Sequence, residues 1–265
     1  MSELLHVDTR DHVRTLRLDR PRSKNAINEE LAWAVIGAIE AASRDDDVWV
    51  IAITGTGDAF CAGLDLKAFG TGHDPQSPQT AQLDDIGWVG RFFYALREGC
   101  DKPIVAGING VAVGAGLSLA LAADIRIVAR SARLMAGYPR IGGSPDGGLT
   151  FTLPQAIGYE QAMRFLLENR SVEGAEAVAL GLAGEVVDDD ALSARLQAYC
   201  KMLTERSPIT LRLTKRGLAA ATRSIDLPAQ LRFEVANIRR AFASEDGLEA
   251  RKAFLEKRPP VFKGR

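Results

Sequence analysis

Short, uninterrupted apolar runs alternate along the first half of the chain with segments in which apolar residues recur every three or four positions. Residues 48–54, Ile104–Ile108 and residues 125–128 are continuous apolar runs rich in β-branched side chains. Such runs are typical of strands covered on both faces of a parallel sheet. Because these strands alternate with helical patterns, the chain is predicted to fold as an α/β protein.

The N-terminal part predicts a hairpin followed by a helix. Residues 3–19 contain two short apolar-bearing runs on either side of a polar centre. Asn28 is then predicted to cap a helix, because four apolar side chains that follow it lie on one helical face: Leu31, Val35, Ile36 and Ile39.

The pattern changes near residue 150. Residues 159–257 are helical in pattern almost throughout, with breaks at Val186-Val187, at Ser207-Pro208 and at residues 226–228. We therefore predict an α/β core over residues 1–195 and a helical region over residues 196–265.

Two segments need separate interpretation. Residues 70–84 are rich in Gly, Pro, Ser and Gln, which predicts a mobile surface loop. Residues 103–123 carry no charge and are long enough to cross a bilayer, but they include Pro103, Asn109 and four glycines. We predict a buried strand, a tight turn and a buried helix there, and no membrane crossing.

Composition excludes several classes of protein. The 265 residues include 33 basic and 34 acidic side chains, 46% are apolar and 25% are charged. This mixture is that of a globular domain, and it excludes a disordered chain or a protein that depends on nucleic-acid phosphates. Cys61, Cys100 and Cys200 are too far apart for a disulfide framework or a CxxC zinc site. Together with an N-terminus that lacks an export signal pattern, they predict a cytoplasmic protein.

Several kinds of chemistry are not expected. His6, His12 and His73 lie in the hairpin and in the 70–84 segment, so neither a Ser-His-Asp or Cys-His catalytic group nor a histidine metal site is predicted. There is no GxxxxGK[ST] phosphate loop. Residues 55–57 begin like a dinucleotide fingerprint, but Phe60 stands where the third glycine belongs.

Two glycine-bearing segments follow predicted strands, at residues 55–66 and 109–117. Small residues at such positions let the backbone approach a ligand and leave N–H groups unpaired, and a helix N-terminus adds partial positive charge. Two convergent N–H donors make an oxyanion hole. The alternative is that both segments are simply close-packed turns.

Residues 144–148 (SPDGG) are a third candidate. This sequence is typical of a type I turn, which is the purely structural interpretation. The functional interpretation is that a rigid turn holds Asp146 at the mouth of a pocket, where its carboxylate serves as a general base.

Together these segments resemble the crotonase (enoyl-CoA hydratase/isomerase) family nearly from end to end. Residues 18–28 (LDRPRSKNAIN) resemble its first CoA-contacting segment, and residues 247–258 its C-terminal helix. Residues 59–67 and 108–116 resemble the two loops that supply oxyanion N–H groups, which fall on Leu64 and Ala115.

The resemblance implies an α/β fold built as a crotonase-like spiral of ββα units, with a C-terminal helical trimerisation region. It implies a homotrimer or a hexamer made of two trimers, in which residues like Phe254 and Lys257 reach the CoA of a neighbouring subunit. The substrate- and CoA-binding positions it implies are Arg22, Ala26, Ala62, Gly63, Asp65, Leu66, Gly114, Ser118, Tyr138, Phe254 and Lys257.

Departures from the family pattern bear on the activity. Ser118 and Tyr138 stand where hydratases of the family carry their two glutamates, and neither transfers protons as a carboxylate does. Asp146 stands where several relatives carry a catalytic aspartate, and the pattern is most similar to the epoxyphenylacetyl-CoA isomerase type. Dehalogenation is not expected, because that enzyme's histidine would fall near Arg91.

We therefore expect an acyl-CoA isomerase in which Asp146 is the single acid/base, Leu64 and Ala115 stabilise the thioester enolate, and Tyr138 helps to shape the acyl pocket. Arg22 and Lys257 are expected to face CoA phosphates. The alternative for both is a solvated surface charge, which is the preferred interpretation for Arg22, and Tyr138 can be an ordinary half-buried aromatic. The alternatives are a hydratase, a hydrolase or a ring-forming synthase that uses Asp146, and a non-catalytic acyl-CoA-binding scaffold. No metal, no cofactor beyond substrate CoA, and no nucleic-acid or membrane partner are expected.

Overall fold

The computed structural model describes residues 3–68, 76–223 and 226–265, and ten strands within them form two sheets. The strands are β1 (Leu5–Arg10), β2 (Val13–Leu18), β3 (Val50–Gly55), β4 (Ala59–Cys61), β5 (Ile104–Ile108), β6 (Val111–Val113), β7 (Ile125–Ala129), β8 (Arg133–Met135), β9 (Ser171–Glu173) and β10 (Glu185–Val187). The large sheet has the order β1-β2-β3-β5-β7-β10, and it is parallel apart from the β1–β2 hairpin. The small sheet has the order β4-β6-β8-β9.

Eleven helices complete the described part of the chain. They are α1 (Glu29–Arg44), α2 (Pro78–Gln82), α3 (Gly87–Arg97), α4 (Ala115–Ala122), α5 (Leu149–Ile157), α6 (Tyr159–Leu167), α7 (Gly174–Leu180), α8 (Leu192–Thr204), α9 (Pro208–Ala221), α10 (Leu227–Ala243) and α11 (Glu245–Glu256). Helix α4 is buried at every position from Ala115 to Ala122, because it lies between sheets and helices on all sides.

Three successive units repeat one pattern, in which a strand of the large sheet is followed by a short strand of the small sheet and then by a helical segment. The units are β3-β4-α3, β5-β6-α4 and β7-β8-α5. Each large-sheet strand runs parallel to the one before it, so the chain advances as a spiral of ββα units. The turns between the paired strands and the following helices therefore lie close together.

The expected α/β architecture is confirmed. The hairpin pairs Leu5 with Leu18 and Arg10 with Val13, and the Asn28 side chain accepts a hydrogen bond from Leu31 N at 3.0 Å at the start of α1. The four apolar residues predicted for the inner face of α1 are all buried.

The sequence did not indicate the small sheet. Its strands β4, β6, β8 and β9 contain three residues each, which is too short for a two-residue alternation to be recognised. The 103–123 segment does contain the predicted strand and buried helix, but its turn holds β6. No helix of the described residues is long and apolar enough to cross a membrane.

Part of the predicted surface loop is helical. Residues 69–75 lie outside the described residues, as does His73, and α2 begins soon after them. Ser77 caps α2 by accepting a hydrogen bond from Thr80 N at 3.2 Å, and Pro78 is its first residue. A capping serine followed by proline is a helix-start signal that outweighs the loop-like composition.

Helix α8 packs on the large sheet, where a Cβ added to Gly107 of β5 would lie 2.7 Å from Leu196 Cδ2. The proposed boundary between residues 195 and 196 falls inside this helix. The division into a core and an oligomerisation region stays a prediction.

The three cysteines are free and buried. Burial raises the pKa of the Cys61 and Cys200 thiols to about 12. Both therefore remain protonated and unreactive at neutral pH.

Candidate active site

Two asparagines hold the turn between β3 and β4. The buried Asn25 amide donates hydrogen bonds to Thr56 O at 2.9 Å and to Ala59 O at 2.8 Å. Asn109 accepts a hydrogen bond from Gly55 N at 3.1 Å and donates to Ala59 O at 3.1 Å. Because these side chains bind its backbone groups, the turn is rigid. Neither asparagine was identified as a site residue from the sequence.

Backbone packs directly against backbone where the two glycine segments meet. A Cβ added to Gly116 would lie 2.0 Å from Cys61 O, so only glycine fits there. A Cβ on Gly63 would lie 3.6 Å from Ala115 N, and Gly63 has a φ of +100°, which favours glycine. The structure thus brings the Gly63–Leu64 turn next to the start of α4.

The amides of Leu64 and Ala115 lie on these adjoining turns. Ile27 and Leu64 form an isolated β-bridge, in which Ile27 N donates to Gly63 O at 2.7 Å and Asp65 N donates to Ile27 O at 2.8 Å. The bridge therefore uses the carbonyl before Leu64 and the amide after it, and does not use the Leu64 amide itself. Ala115 is the first residue of α4, where an N–H has no partner within the helix. Within the described ranges neither amide donates a hydrogen bond to another residue, so both are available to an external acceptor.

Asp146 is held beside the start of α4 by a hydrogen-bonded cluster. Tyr138 OH donates to Asp146 Oδ1 at 2.8 Å, and Ser118 Oγ donates to the Asp146 carbonyl at 3.1 Å. The Ser118 and Tyr138 hydroxyls are 3.4 Å apart. A Cβ on Gly114 would lie 3.9 Å from Tyr138 Cζ, which places this cluster against the turn that carries the Ala115 amide.

Burial determines the protonation of this cluster. Burial raises the pKa of Asp146 above its ordinary value, and the hydrogen bond from Tyr138 partly opposes that rise. Burial also raises the pKa of Tyr138, and the Asp146 charge raises it further, so Tyr138 is a neutral donor at neutral pH. A carboxylate with a raised pKa and one occupied oxygen is suited to take up and return a proton.

Packing on α3 fixes the turn that carries Asp146. Gly147 has a φ of +57°, and a Cβ added there would lie 2.2 Å from Phe93 Cε2. Phe93 therefore presses against the backbone of this turn. Phe93 was not recognised from the sequence, because its apolar character there indicated only core packing.

Arg20 is a further residue that the sequence analysis did not single out. Its guanidinium pairs with Asp65 at 2.8 Å and donates to the carbonyl of the buried Ala26. This pair lowers the pKa of Asp65 and ties the 18–28 segment to the Leu64 turn. The Asp65 carboxylate is therefore engaged within the protein, and its role in substrate binding stays a prediction.

The remaining predicted positions differ in exposure. Ala62 is half-buried and donates its amide to Lys24 O at 3.0 Å, whereas Leu66 is exposed. Arg22 is exposed in a short turn, Phe254 is 82% exposed on α11, and Lys257 is exposed at the end of that helix. No contact described for this chain joins the last three residues to the Asp146 cluster.

Among the described residues, no group of three or more His, Cys, Asp or Glu side chains is placed to hold a metal ion. The polar groups at this site are two backbone amides, two hydroxyls and one carboxylate. That set is suited to binding a carbonyl oxygen and moving a proton.

The spiral of ββα units and the glycine turns define the class of crotonase-fold proteins, and comparison with known proteins agrees. The sequence profile of the enoyl-CoA hydratase/isomerase family matches residues 8–265. The 1,2-epoxyphenylacetyl-CoA isomerase of Escherichia coli is 34% identical over 270 residues, covering 100% of both chains. The 2,3-dehydroadipyl-CoA hydratase of the same organism is 34% identical over 268 residues, again covering 100% of both.

A solved structure gives the same result for the fold. The crystal structure of an enoyl-CoA hydratase from Bacillus anthracis matches with a TM-score of 0.90 and 28% identity, covering 99% of this chain and 100% of that one. The chain belongs to the enoyl-CoA hydratase/isomerase family and is an enzyme of acyl-CoA thioesters.

Proposed function

We propose that this protein is an enoyl-CoA-type isomerase, in which Asp146 moves a proton between two carbons of the acyl group. The observation that carries the proposal is the hydrogen bond from Tyr138 to Asp146 beside the α4 N-terminus. Both positions at which hydratases of the family carry glutamate hold hydroxyl residues, Ser118 and Tyr138, so the cluster has a single carboxylate. The relative that is a 1,2-epoxyphenylacetyl-CoA isomerase further supports it.

The proposed reaction starts when the thioester carbonyl oxygen accepts hydrogen bonds from the Leu64 and Ala115 amides. Asp146, ionised, takes a proton from one carbon of a 3-enoyl thioester through Oδ2, because Tyr138 occupies Oδ1. The electron pair moves into a dienolate whose negative charge lies on the thioester oxygen. Asp146 then returns the proton to the far carbon, the double bond shifts, and the carbonyl re-forms. Losing one such amide donor costs about 3–4 kcal/mol in the barrier.

One carboxylate is sufficient for this reaction, because the same group removes and returns the proton. Hydration requires a positioned water to lose one proton while the α-carbon gains another, and this work is normally divided between two groups. The Ser118 and Tyr138 hydroxyls are not bases at neutral pH, and burial raises the pKa of Tyr138 still further. The cluster thus favours isomerisation.

A hydratase that uses Asp146 and a bound water is the second candidate. The observation that favours it is the equal identity, 34%, to the 2,3-dehydroadipyl-CoA hydratase. In that reaction Asp146 would remove a proton from water instead of from carbon.

The test compares 3-enoyl-CoA, 2-enoyl-CoA and ring-epoxide aryl-CoA thioesters as substrates of wild type, Asp146→Asn and the control Asp190→Asn. Asp190 is exposed and lies beyond β10. We expect wild type to shift the double bond of the 3-enoyl substrate, and Asp146→Asn to lower that rate by about 10²–10⁴-fold. The control should keep the wild-type rate.

The other outcomes would reject the proposal in different ways. Fast hydration of 2-enoyl-CoA that Asp146→Asn abolishes would identify a hydratase. Tight CoA binding without turnover of any substrate would identify a scaffold. An Asp146→Asn variant with full activity would remove the assignment of the base.

We also propose that the active unit is a homotrimer or a pair of trimers. Five apolar side chains form an exposed stripe along α10, spaced by four, four, three and four residues: Leu227, Leu231, Val235, Ile238 and Phe242. Such a stripe on a surface helix is typical of an interface. In the assembled protein, Phe254 and Lys257 would contact the CoA of a neighbouring subunit, and Arg22 the CoA phosphates of its own.

A further inference from the structure

A cavity of about 440 Å³ lies beneath α9 and shares no residue with the Asp146 cluster. It is lined by the C-terminal ends of α3 and α4 together with α5, α8 and α9. Leu121, Ile125, Ala156, Leu211 and Leu218 make much of its wall apolar. A cavity of this size with apolar walls and a few polar groups is typical of a small-molecule site.

The carboxylates at and beside this cavity are already paired. Asp124 accepts a hydrogen bond from Lys215 Nζ at 2.8 Å and another from Ile104 N at 2.8 Å. Two further acids lie between α3 and α9, and both bind arginines: Glu98 pairs with Arg223 at 3.0 Å, and Asp101 pairs with Arg212 at 2.8 Å.

Two guanidinium groups on the wall have no carboxylate partner among the described residues. Arg126 donates only to backbone carbonyls, with Nε to Leu182 O at 2.8 Å and Nη1 to Ala123 O at 2.7 Å. Arg97 forms no hydrogen bond or ion pair with any other described residue. Burial lowers the pKa of Arg126, the negative charge of Asp124 partly opposes that shift, and the positive charge of Arg97 adds to it. The cavity therefore holds more positive than negative charge.

Helices α3 and α4 contribute residues both to the Asp146 cluster and to this cavity. Phe93 of α3 contacts the Asp146 turn, and Arg97 is one turn further along that helix. Ser118 of α4 binds the Asp146 backbone, and Leu121 follows it by three residues. One helical turn is about 5 Å, so the cavity begins only about one turn beyond the cluster.

We propose that this cavity binds a carboxylate carried on an apolar chain, with the carboxylate at Arg97 and Arg126 and the chain against the leucine-rich wall. A guanidinium binds a carboxylate through paired, charge-assisted hydrogen bonds, and the surrounding apolar wall strengthens them. The carboxylate has two possible sources. It is either the far end of a dicarboxylic acyl chain whose thioester lies at Leu64 and Ala115, or a separate free acid.

Binding measurements test this without any turnover. Titration calorimetry would compare saturated adipyl-, suberyl- and sebacyl-CoA, which end in a carboxylate, with hexanoyl-, octanoyl- and decanoyl-CoA, which end in a methyl group. Free octanoate and octanol would be titrated in the same way. The variants are Arg97→Gln and the control Arg206→Gln, which removes an exposed charge outside the cavity, and light scattering would verify that both keep the wild-type assembly.

An acyl-chain carboxylate predicts that one of the dicarboxylic thioesters binds more tightly than its methyl-ended partner. We expect Arg97→Gln to lower the affinity for that dicarboxylic thioester about tenfold and to leave the affinity for its methyl-ended counterpart unchanged. A free acid predicts that octanoate binds with or without octanoyl-CoA present and loses about tenfold affinity in Arg97→Gln.

Three results would overturn the proposal. One is that no carboxylate binds more tightly than its uncharged counterpart. Another is that Arg97→Gln behaves as Arg206→Gln does. The third is an equal loss of affinity for carboxylate-ended and methyl-ended ligands in Arg97→Gln, which would indicate a general effect on the fold. Because every readout is binding, failure of the isomerase proposal would leave the result unchanged.

Discussion

The Tyr138 hydroxyl binds one oxygen of the Asp146 carboxylate and leaves the other available to a substrate. A hydrogen bond to the ionised form of an acid lowers its pKa, so this contact limits the rise that burial causes. Tyr138 is therefore expected to act on catalysis through Asp146, as a positioning residue. Its function is separable from that of the base itself.

Tyr138→Phe should move the acid limb of the kcat/KM profile to higher pH. The variant removes the hydroxyl that stabilises ionised Asp146, so the pKa of Asp146 rises and a higher pH is needed to ionise the base. The measurement is kcat/KM for 3-enoyl-CoA across the acidic and neutral range. Tyr159→Phe is the control, since Tyr159 is 74% exposed. A limb that stays in place would show that Tyr138 only fills space, and one that moves to lower pH would show that its hydroxyl does not stabilise the ionised acid.

Asp146→Asn should also make the protein more stable at neutral pH. A carboxyl whose folded-state pKa is raised stabilises the fold when protonated, and this contribution is lost as the pH rises through the folded-state pKa. The amide cannot ionise and keeps that contribution. Thermal unfolding of both proteins should show a Tm advantage at neutral pH that shrinks toward zero below about pH 4, the ordinary Asp pKa. Asp190→Asn should show no such trend, and a neutral-pH Tm below wild type would contradict the argument.

At the scale of elements, the site depends on the contact between the Cys61–Leu64 turn and the first turn of α4. Gly116 allows that contact, because any side chain there would meet Cys61 O. The distance between these two backbone segments determines where the Leu64 and Ala115 amides lie. If these two backbone segments moved slightly apart, both the stability of the fold and the binding of the oxyanion would weaken.

Gly116→Ala should destabilise the protein by about 1–3 kcal/mol and lower kcat, since the added methyl group forces β4 and α4 apart. Gly37→Ala is the matched control, because Gly37 is exposed on α1 and a Cβ added there meets nothing within 4 Å. In that control the free energy of unfolding should rise by about 0.5–1 kcal/mol, because alanine has a better helix propensity than glycine. Urea unfolding and steady-state kinetics measure both effects. Equal behaviour of the two variants would argue against a tight backbone contact.

Sequence reasoning succeeded where the chemistry is local. The Asn28 cap and the long apolar strands follow from spacing within one element, and the glycine segments indicate close backbone approach. It did not reveal that Tyr138 binds Asp146 or that Arg20 binds Asp65, because such hydrogen bonds depend on how separate turns are placed by the spiral. The strands of the small sheet were missed because each is only three residues long.

At the scale of the whole molecule, the exposed apolar stripe along α10 is not covered by any other part of the same chain that the structure describes. Leu231, Val235 and Ile238 lie at its centre and are exposed. Burying such a stripe against other copies would supply much of the free energy of assembly. It would also bring α11 of each copy close to its neighbours.

Val235→Asp should convert the proposed trimer or hexamer into monomers, because a charge at the centre of an apolar interface is desolvated without a partner. Light scattering measures the mass, and the loss of assembly should be accompanied by weaker acyl-CoA binding. Arg232→Glu, on the neighbouring face of α10, should leave the mass unchanged. A wild-type chain that is monomeric at micromolar concentration would refute the interface.

The buried thiols have a practical consequence for experiments that follow ligand binding and subunit assembly. Because all three native cysteines are shielded from solvent, the wild-type chain should be silent toward maleimide dyes. A fluorophore attached through Lys257→Cys at the end of α11 would then be the sole label. Its emission could report ligand arrival and subunit exchange in real time, without prior removal of any native sulfur.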